Sequence, residues 1–297
     1  MSEDTMKKLL VTIDTEMDAD IHWKKKRPGK YTSIIEGIPK YYRPIWDKYD
    51  INPIYFLSPE VVENDDACMV ISEEIEKGAM VGAHLHPDFI DPEKTPINAE
   101  PIEAFPCYGY EYDIEREKIK NLKLKIERKF GISITWYRAA RFGADEDTMT
   151  ILSDLGFKHD SSYTPCINWK SEGGPDHSNS KVGLNILEPS GIREHPVTIL
   201  GKRWGVIGKI FPEHWLFYKW LRPTHMTLIE EKSLINEARK KGIDELVMMF
   251  HSMEVMVKKT PYVRNRLMQK YFIWRLDKTI DYAIKNGYKS YCFREED

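Results

Sequence analysis

Strand-like and helix-like runs alternate from the start of this chain, and that rhythm restricts the fold more than any figure of composition. LLVTID is followed by an amphipathic stretch over residues 34–49, then INPIYFLS, then the helical ISEEIEKG, then MVGAHLH. Parallel neighbours need long crossovers, usually helical, so a βαβαβ order predicts a parallel sheet or barrel. After a polar, Pro-rich excursion over residues 87–110 the rhythm resumes with a long charged helix, IEREKIKNLKLKIERKFG, ending at Gly131. The strand ITWYRA follows, then a helix in DEDTMTILSDLG with acids in its first turn, then a short strand reaching Asp160. Residues 169–185, rich in Ser, Gly, Pro and Asn, read as a long surface loop, and ILEPSGIREHPVT as a hairpin or irregular strand pair. The helix EKSLINEARKKG, the strand ELVMMFHS, the helix VRNRLMQKYFIWRLDKTIDYAIKNG and the strand YKSYCF complete the order. A chain of 297 residues with this pattern is expected to form one domain over residues 1–297.

Charge narrows the partners. Lys and Arg number 44 against 47 Asp and Glu, a formal charge of -3, so no global field draws the chain to nucleic acid or an anionic membrane. The blocks at residues 24–27 and 239–241 read as solvated faces. Cys68, Cys107, Cys166 and Cys292 are scattered with no CxxC pair, which fits reduced thiols and no structural zinc knuckle. MSEDTMKKLL lacks the apolar core of a secretory signal, and no apolar run approaches the ~20 residues that cross a bilayer. A cytoplasmic location is expected. The aromatic segment over residues 211–221 is too short to span and has no assigned role.

Chemistry concentrates at strand ends. In LLVTIDTEMD the apolar run stops at Asp14, Glu16 and Asp18, and alternation along a strand puts Asp14 and Glu16 on one face. His84 and His86, two apart before a proline, also share a face and suit one metal ion. A carboxylate from Asp14 or Glu16 completes a His/His/acid set with positions open to water and substrate; Zn2+ is the default, with other first-row divalent ions open. Asp88 is either a further ligand or a cap on the turn HPDFIDPE, the cap being favoured. Arg138 ends a strand, where a guanidinium either orients a catalytic carboxylate or binds a substrate anion; Arg141 also reads as a surface ion pair. Asp160 precedes Ser161, Ser162 and Tyr163, a turn offering hydroxyl and N–H donors. His251 closes a hydrophobic strand as either a general acid or a hydrogen-bonded rim histidine. Trp136, Tyr163, Trp169 and Trp215 are either flat faces for a sugar or core.

Taken in order, TIDTE, GAHLHPD, YRAARFG, HDSSYTP and VMMFHSME resemble the motif series of the polysaccharide deacetylase family, also called the NodB-homology or chitin deacetylase superfamily. The resemblance runs from Leu9 to about His251. It implies a distorted (β/α) barrel with about seven strands and a metal-dependent amide hydrolase that removes N-acetyl or other N-acyl groups from sugars. By position, Asp14 matches the general base. Thr15 stands where the common pattern has a metal-binding Asp, and on a variant pattern Glu16 is the ligand, which leaves Asp14 and Glu16 exchangeable. The family's two histidines are usually four apart, whereas here His86 lies at two and Asp88 at four; the metal set is then Glu16, His84 and His86. Arg138 matches the arginine that holds the base, Asp160 an acid lining the site, and His251 the general acid. Glu194 and His195 receive no firm role. The resemblance further implies an oxyanion donor from the Ser161–Tyr163 turn or the loop after Arg138, and an acylated sugar or glycan precursor as substrate. Hydrolysis of another C–N bond, in a formamide or cyclic amide, and a non-catalytic glycan-binding descendant are the rival readings.

Overall fold

The computed structural model describes residues 6–95, 105–204 and 214–290. Strand β1 (Lys8–Thr15) lies inside the main sheet, followed in chain order by β2 (Ile54–Leu57), β3 (Met80–Leu85), β4 (Trp136–Ala139), β5 (His159–Asp160), β6 (Asn185–Leu187) and β7 (Ile192–Glu194). Next come β8 (Ile199–Lys202), β9 (Tyr218–Trp220), β10 (Glu245–His251) and β11 (Lys289–Ser290). In space the order is β10-β1-β2-β3-β4-β5-β7-β6, with β11 beside the start of β1 and β8 paired to β9 in a separate antiparallel ribbon. From β10 to β7 every neighbour is parallel, and only β6 runs antiparallel. This is the expected distorted barrel, with seven parallel strands curling towards closure. Single residues bridge the seam between β7 and β10: Thr198 N–H donates to Val247 O at 3.1 Å, and Met249 N–H to Leu221 O at 3.2 Å.

Alternation along the strands divides the apolar residues into two layers. Leu9, Val11 and Ile13 belong to the large cluster between sheet and helices, whereas Leu10 packs with Ile54, Phe56, Trp136 and Val247 in the barrel interior. Gly82 sits in that interior, where a Cβ would lie 2.7 Å from the Phe56 ring and 2.9 Å from Trp136 Cβ. Two large rings therefore fill the barrel only because β3 offers no side chain there.

The helix expected over residues 34–49 forms as Ser33–Tyr42 running on into Arg43–Tyr49, and its first part has turns wider than α around Pro39, which has no N–H to donate. The charged helix spans Tyr112–Phe130 and stops at Gly131, φ 68°. Its Lys118 is fully buried and donates to the carbonyls of Pro87 and Ile90, both at 2.9 Å, and to that of Pro92, which ties down the loop after β3. Cys68 and Cys107 are free thiols. Cys292, residues 211–213 of the aromatic segment and the last strand beyond Ser290 lie outside the described residues. Among the described residues no helix is long and apolar enough to cross a membrane.

Candidate active site

The C-terminal ends of the parallel strands carry the polar residues, as in other α/β barrels. Register puts Asp14 opposite His251 and His84 opposite Arg138, so inward-facing groups of four strands gather at the mouth. Just past the end of β1, Glu16 lies between the two histidines. Its Oε1 is 3.1 Å from His84 Nε2 and 2.8 Å from His86 Nε2, while Oε2 is 2.7 Å from Lys25 Nζ. One atom from each of Glu16, His84 and His86 falls within 4.8 Å of the others, the arrangement a single cation needs. The second shell supports it: His84 Nδ1 lies 3.0 Å from Arg138 O, and since a carbonyl only accepts, Nδ1 carries the proton and turns Nε2 towards Glu16.

Asp14 is held differently. Arg138 is fully buried; Nη1 donates to Asp14 Oδ1 at 2.8 Å, Nη2 to Thr12 Oγ1 at 2.9 Å and to Ser161 Oγ at 2.7 Å, and Nε to Ser161 O at 2.8 Å. The other oxygen, Oδ2, is 3.9 Å from both His84 Nε2 and His251 Nε2. His251 Nδ1 is 2.9 Å from Glu254 Oε1, and Glu254 is in turn bound by Arg222 and Thr224.

Burial works against charge on every one of these acids, and fixed cations win. Burial raises the Asp14 carboxyl, but Arg138 and then His84 and His251 bring it below the usual carboxylate range. Lys25 and His86 likewise outweigh burial at Glu16 and hold it well below that range. His84 is pushed up despite burial, because Asp14 and Glu16 favour its cation. His86, buried and facing Lys25, is pushed down. Two carboxylates crowded against imidazoles form a site with a strong preference for positive charge.

No protein-family model matches the chain, and no curated protein matches it in sequence. Solved structures do match its shape. A protein assigned as a polysaccharide deacetylase from Mycobacterium smegmatis superposes with a TM-score of 0.52 at 14% identity, covering 98% of this chain and 89% of the other. The chain has the polysaccharide deacetylase fold. A polysaccharide deacetylase from Bacillus cereus superposes at TM-score 0.47 and 13% identity, covering 98% of this chain and 93% of that one. A CE4 family pseudoenzyme from Bacillus anthracis gives 0.49 at 12% identity over 97% of this chain, which spans only 64% of that protein's length.

Within this deacetylase fold the structure brings together Asp14, Glu16, His84, His86, Arg138 and His251. It does not bring in Asp160. On β5 the residue paired with inward-facing Trp136 is His159, so Asp160 points outward beside Tyr137. There Asp160 accepts from Ser162 N at 2.9 Å and Ser162 Oγ at 2.7 Å, and it shares a hydrogen bond with Glu194, whose carboxyl burial and that neighbour push well above its usual range. Its role is to shape the turn whose Ser161 grips Arg138. The turn itself offers no spare N–H: Ser161 donates to Tyr137 O, Ser162 to Asp160 and Tyr163 to Glu194. Asp88 accepts from Thr95 Oγ1 at 2.6 Å and stands outside the Glu–His–His group. Trp136 lies one layer below, stacked on His159 at 4.4 Å, and Tyr163 stacks on His177, so both are core. His195 bridges Glu245 and His159 beneath the site. Arg141 pairs with Glu172 at 3.6 Å on the rim.

A cavity of about 320 Å³ opens over this constellation, and Trp169 and Trp215 do line it. So do Trp23 and Lys25, from the very block that reads as a solvated face: the Lys25 side chain is 7% exposed. Glu254 and Arg222 were also missed. Glu254 lies three residues beyond His251 on the Ser252–Val255 turn, a spacing that was available as a signal; Arg222 gave none.

Proposed function

We propose that the protein is a metal-dependent amide hydrolase that removes an N-acetyl or other N-acyl group from a sugar or glycan precursor. The observation that carries this reading is one cavity wall holding a Glu16–His84–His86 cation site with two differently supported groups, Asp14 and His251, each within 3.9 Å of it. A glycan-binding module has no need of a separately positioned base and acid.

The donor set of one carboxylate and two imidazoles fits a divalent ion with open positions, Zn2+ foremost. Such an ion, held by Glu16, His84 and His86, supplies a Lewis acid and lowers the pKa of a water towards neutrality. Asp14, kept ionised by Arg138, takes the proton from the attacking water through Oδ2. Water oxygen bonds to the acyl carbon, the C–N bond breaks, and the amine leaves with a proton from His251. Glu254 fixes the His251 ring through Nδ1, so that Nε2 points at the reacting groups. Ala139 N–H is taken by Ser162 Oγ at 2.9 Å, so the backbone N–H for the developing oxyanion comes from Ala140 or Arg141, which line the cavity next to it; Arg141 and Phe142 hold φ of 53° and 62°, non-glycine strain of the kind found at active sites.

Metal content of the purified protein tests the reading. Near-stoichiometric zinc or another divalent ion that disappears in His84→Ala/His86→Ala, together with release of a carboxylic acid from N-acylated sugars, is the expected result. Protein that neither contains nor takes up a divalent ion overturns it.

A further inference from the structure

The barrel mouth is divided by chemistry. Carboxylates and imidazoles stand over β1 and β3, whereas Phe105, Phe142, Trp169, Trp215, Trp220 and Met249 line the same cavity from β4 round to the seam. These rings pack on one another: Phe142 stacks on Trp169 with centroids 6.2 Å apart, and Trp220 lies 5.9 Å from Phe142 and 6.2 Å from Trp215. A tryptophan beside a sugar has one donor, its indole N–H, to offer a hydroxyl. Here Trp169 Nε1 donates to Thr164 Oγ1 at 2.8 Å and Trp220 Nε1 to Trp215 O at 3.0 Å. The charged residues at that rim, Arg141 and Glu172, face each other. Two of the three indole N–H groups on this wall are thereby engaged, and most of what this half presents to a ligand is carbon.

We propose that the aromatic half is an acyl-group subsite, and that the substrates are N-acyl amines with an extended apolar acyl chain rather than acetyl. The position of the amide rests on the hydrolase reading; the subsite itself rests on the wall. At about 30 Å³ per water-sized group the cavity takes on the order of ten non-hydrogen atoms, the size of an octanoyl amide. Octanoate has six more methylenes than acetate, and each buried methylene favours binding about fourfold, so burial of half of them gives about sixtyfold.

The experiment pairs two measurements on the metal-loaded protein. Tryptophan fluorescence is titrated with octanoate and with acetate, and hydrolysis is followed on N-octanoylglucosamine and N-acetylglucosamine. Octanoate binding tens of times more tightly than acetate, with the ratio falling at least several-fold in Trp169→Leu, is the expected result. Octanoate and acetate binding alike in the unmodified protein overturns the subsite whether or not the variant folds, as does a preference that Trp169→Leu leaves intact. Octanoate preference with neither glucosamide hydrolysed overturns the hydrolase reading and keeps the subsite, so the two failures are distinct.

Discussion

Arg138→Met is expected to lower stability by about 3–5 kcal/mol, the cost of leaving one member of a buried ion pair without its partner. The variant keeps an unbranched apolar stem but removes the four hydrogen bonds of a fully buried guanidinium and its contact with the Phe56 ring, 4.4 Å away. It leaves the Asp14 carboxylate, 2% exposed, facing no cation of its own. Asp14→Leu should cost a similar amount for the converse reason. The double variant removes both charges, so it should be no less stable than the worse single variant, and the two effects should fail to add by at least about 2 kcal/mol. Thermal melting followed by circular dichroism reads this as a drop of about 5–8 °C for Arg138→Met, with chelator present so that metal binding does not shift the midpoint. A drop under about 3 °C, or strictly additive effects, refutes the claim that Arg138 exists to hold a buried Asp14 ionised.

Two further predictions concern the barrel interior. Gly82→Ala places a methyl against Phe56 and Trp136 and should cost about 1–3 kcal/mol by denaturant unfolding, with a neutral result showing that the interior is looser than described. Burial, then the neighbouring His195 and nearby cations, push His159 down to about 3. A histidine with a depressed folded pKa stabilises fully above its unfolded value, about 6.5, and loses that contribution as pH falls towards 3. The His159 ring resonances should therefore stay unprotonated at pH 5, and titration near 6.5 would refute the reading.

Strand ends were legible because an apolar run that stops in acids or histidines exposes its own function: Asp14, Glu16, His84 and His86 follow from alternation alone. Facing was legible only within a strand. Asp160 and His159 differ by one position, and which of them looks inward depends on register with Trp136 on another strand, a fact no local pattern contains. Lys25 was hidden by its neighbours. In a run of four basic residues the isolated bridge between Ala19 and Lys25 turns one of them inwards onto Glu16, and composition averages that away. Arg222 reaches Glu254 across 32 residues of chain, so the support behind His251 is visible only once the segment after β9 lies against the end of β10.

The seam between β7 and β10 has a consequence for how such a protein diversifies. The ribbon of β8 and β9 enters the chain at the seam, touching the barrel through a few hydrogen bonds at Thr198 and Leu221 rather than through a full ladder. Sequence change in that insert alters the aromatic side of the mouth while the strands that carry Asp14, Glu16 and the two histidines keep their register. Trp215 and Trp220 are thus carried on a piece of chain apart from the strands that hold the carboxylates and imidazoles, so the rings on that side of the mouth can be exchanged without shifting the cation site.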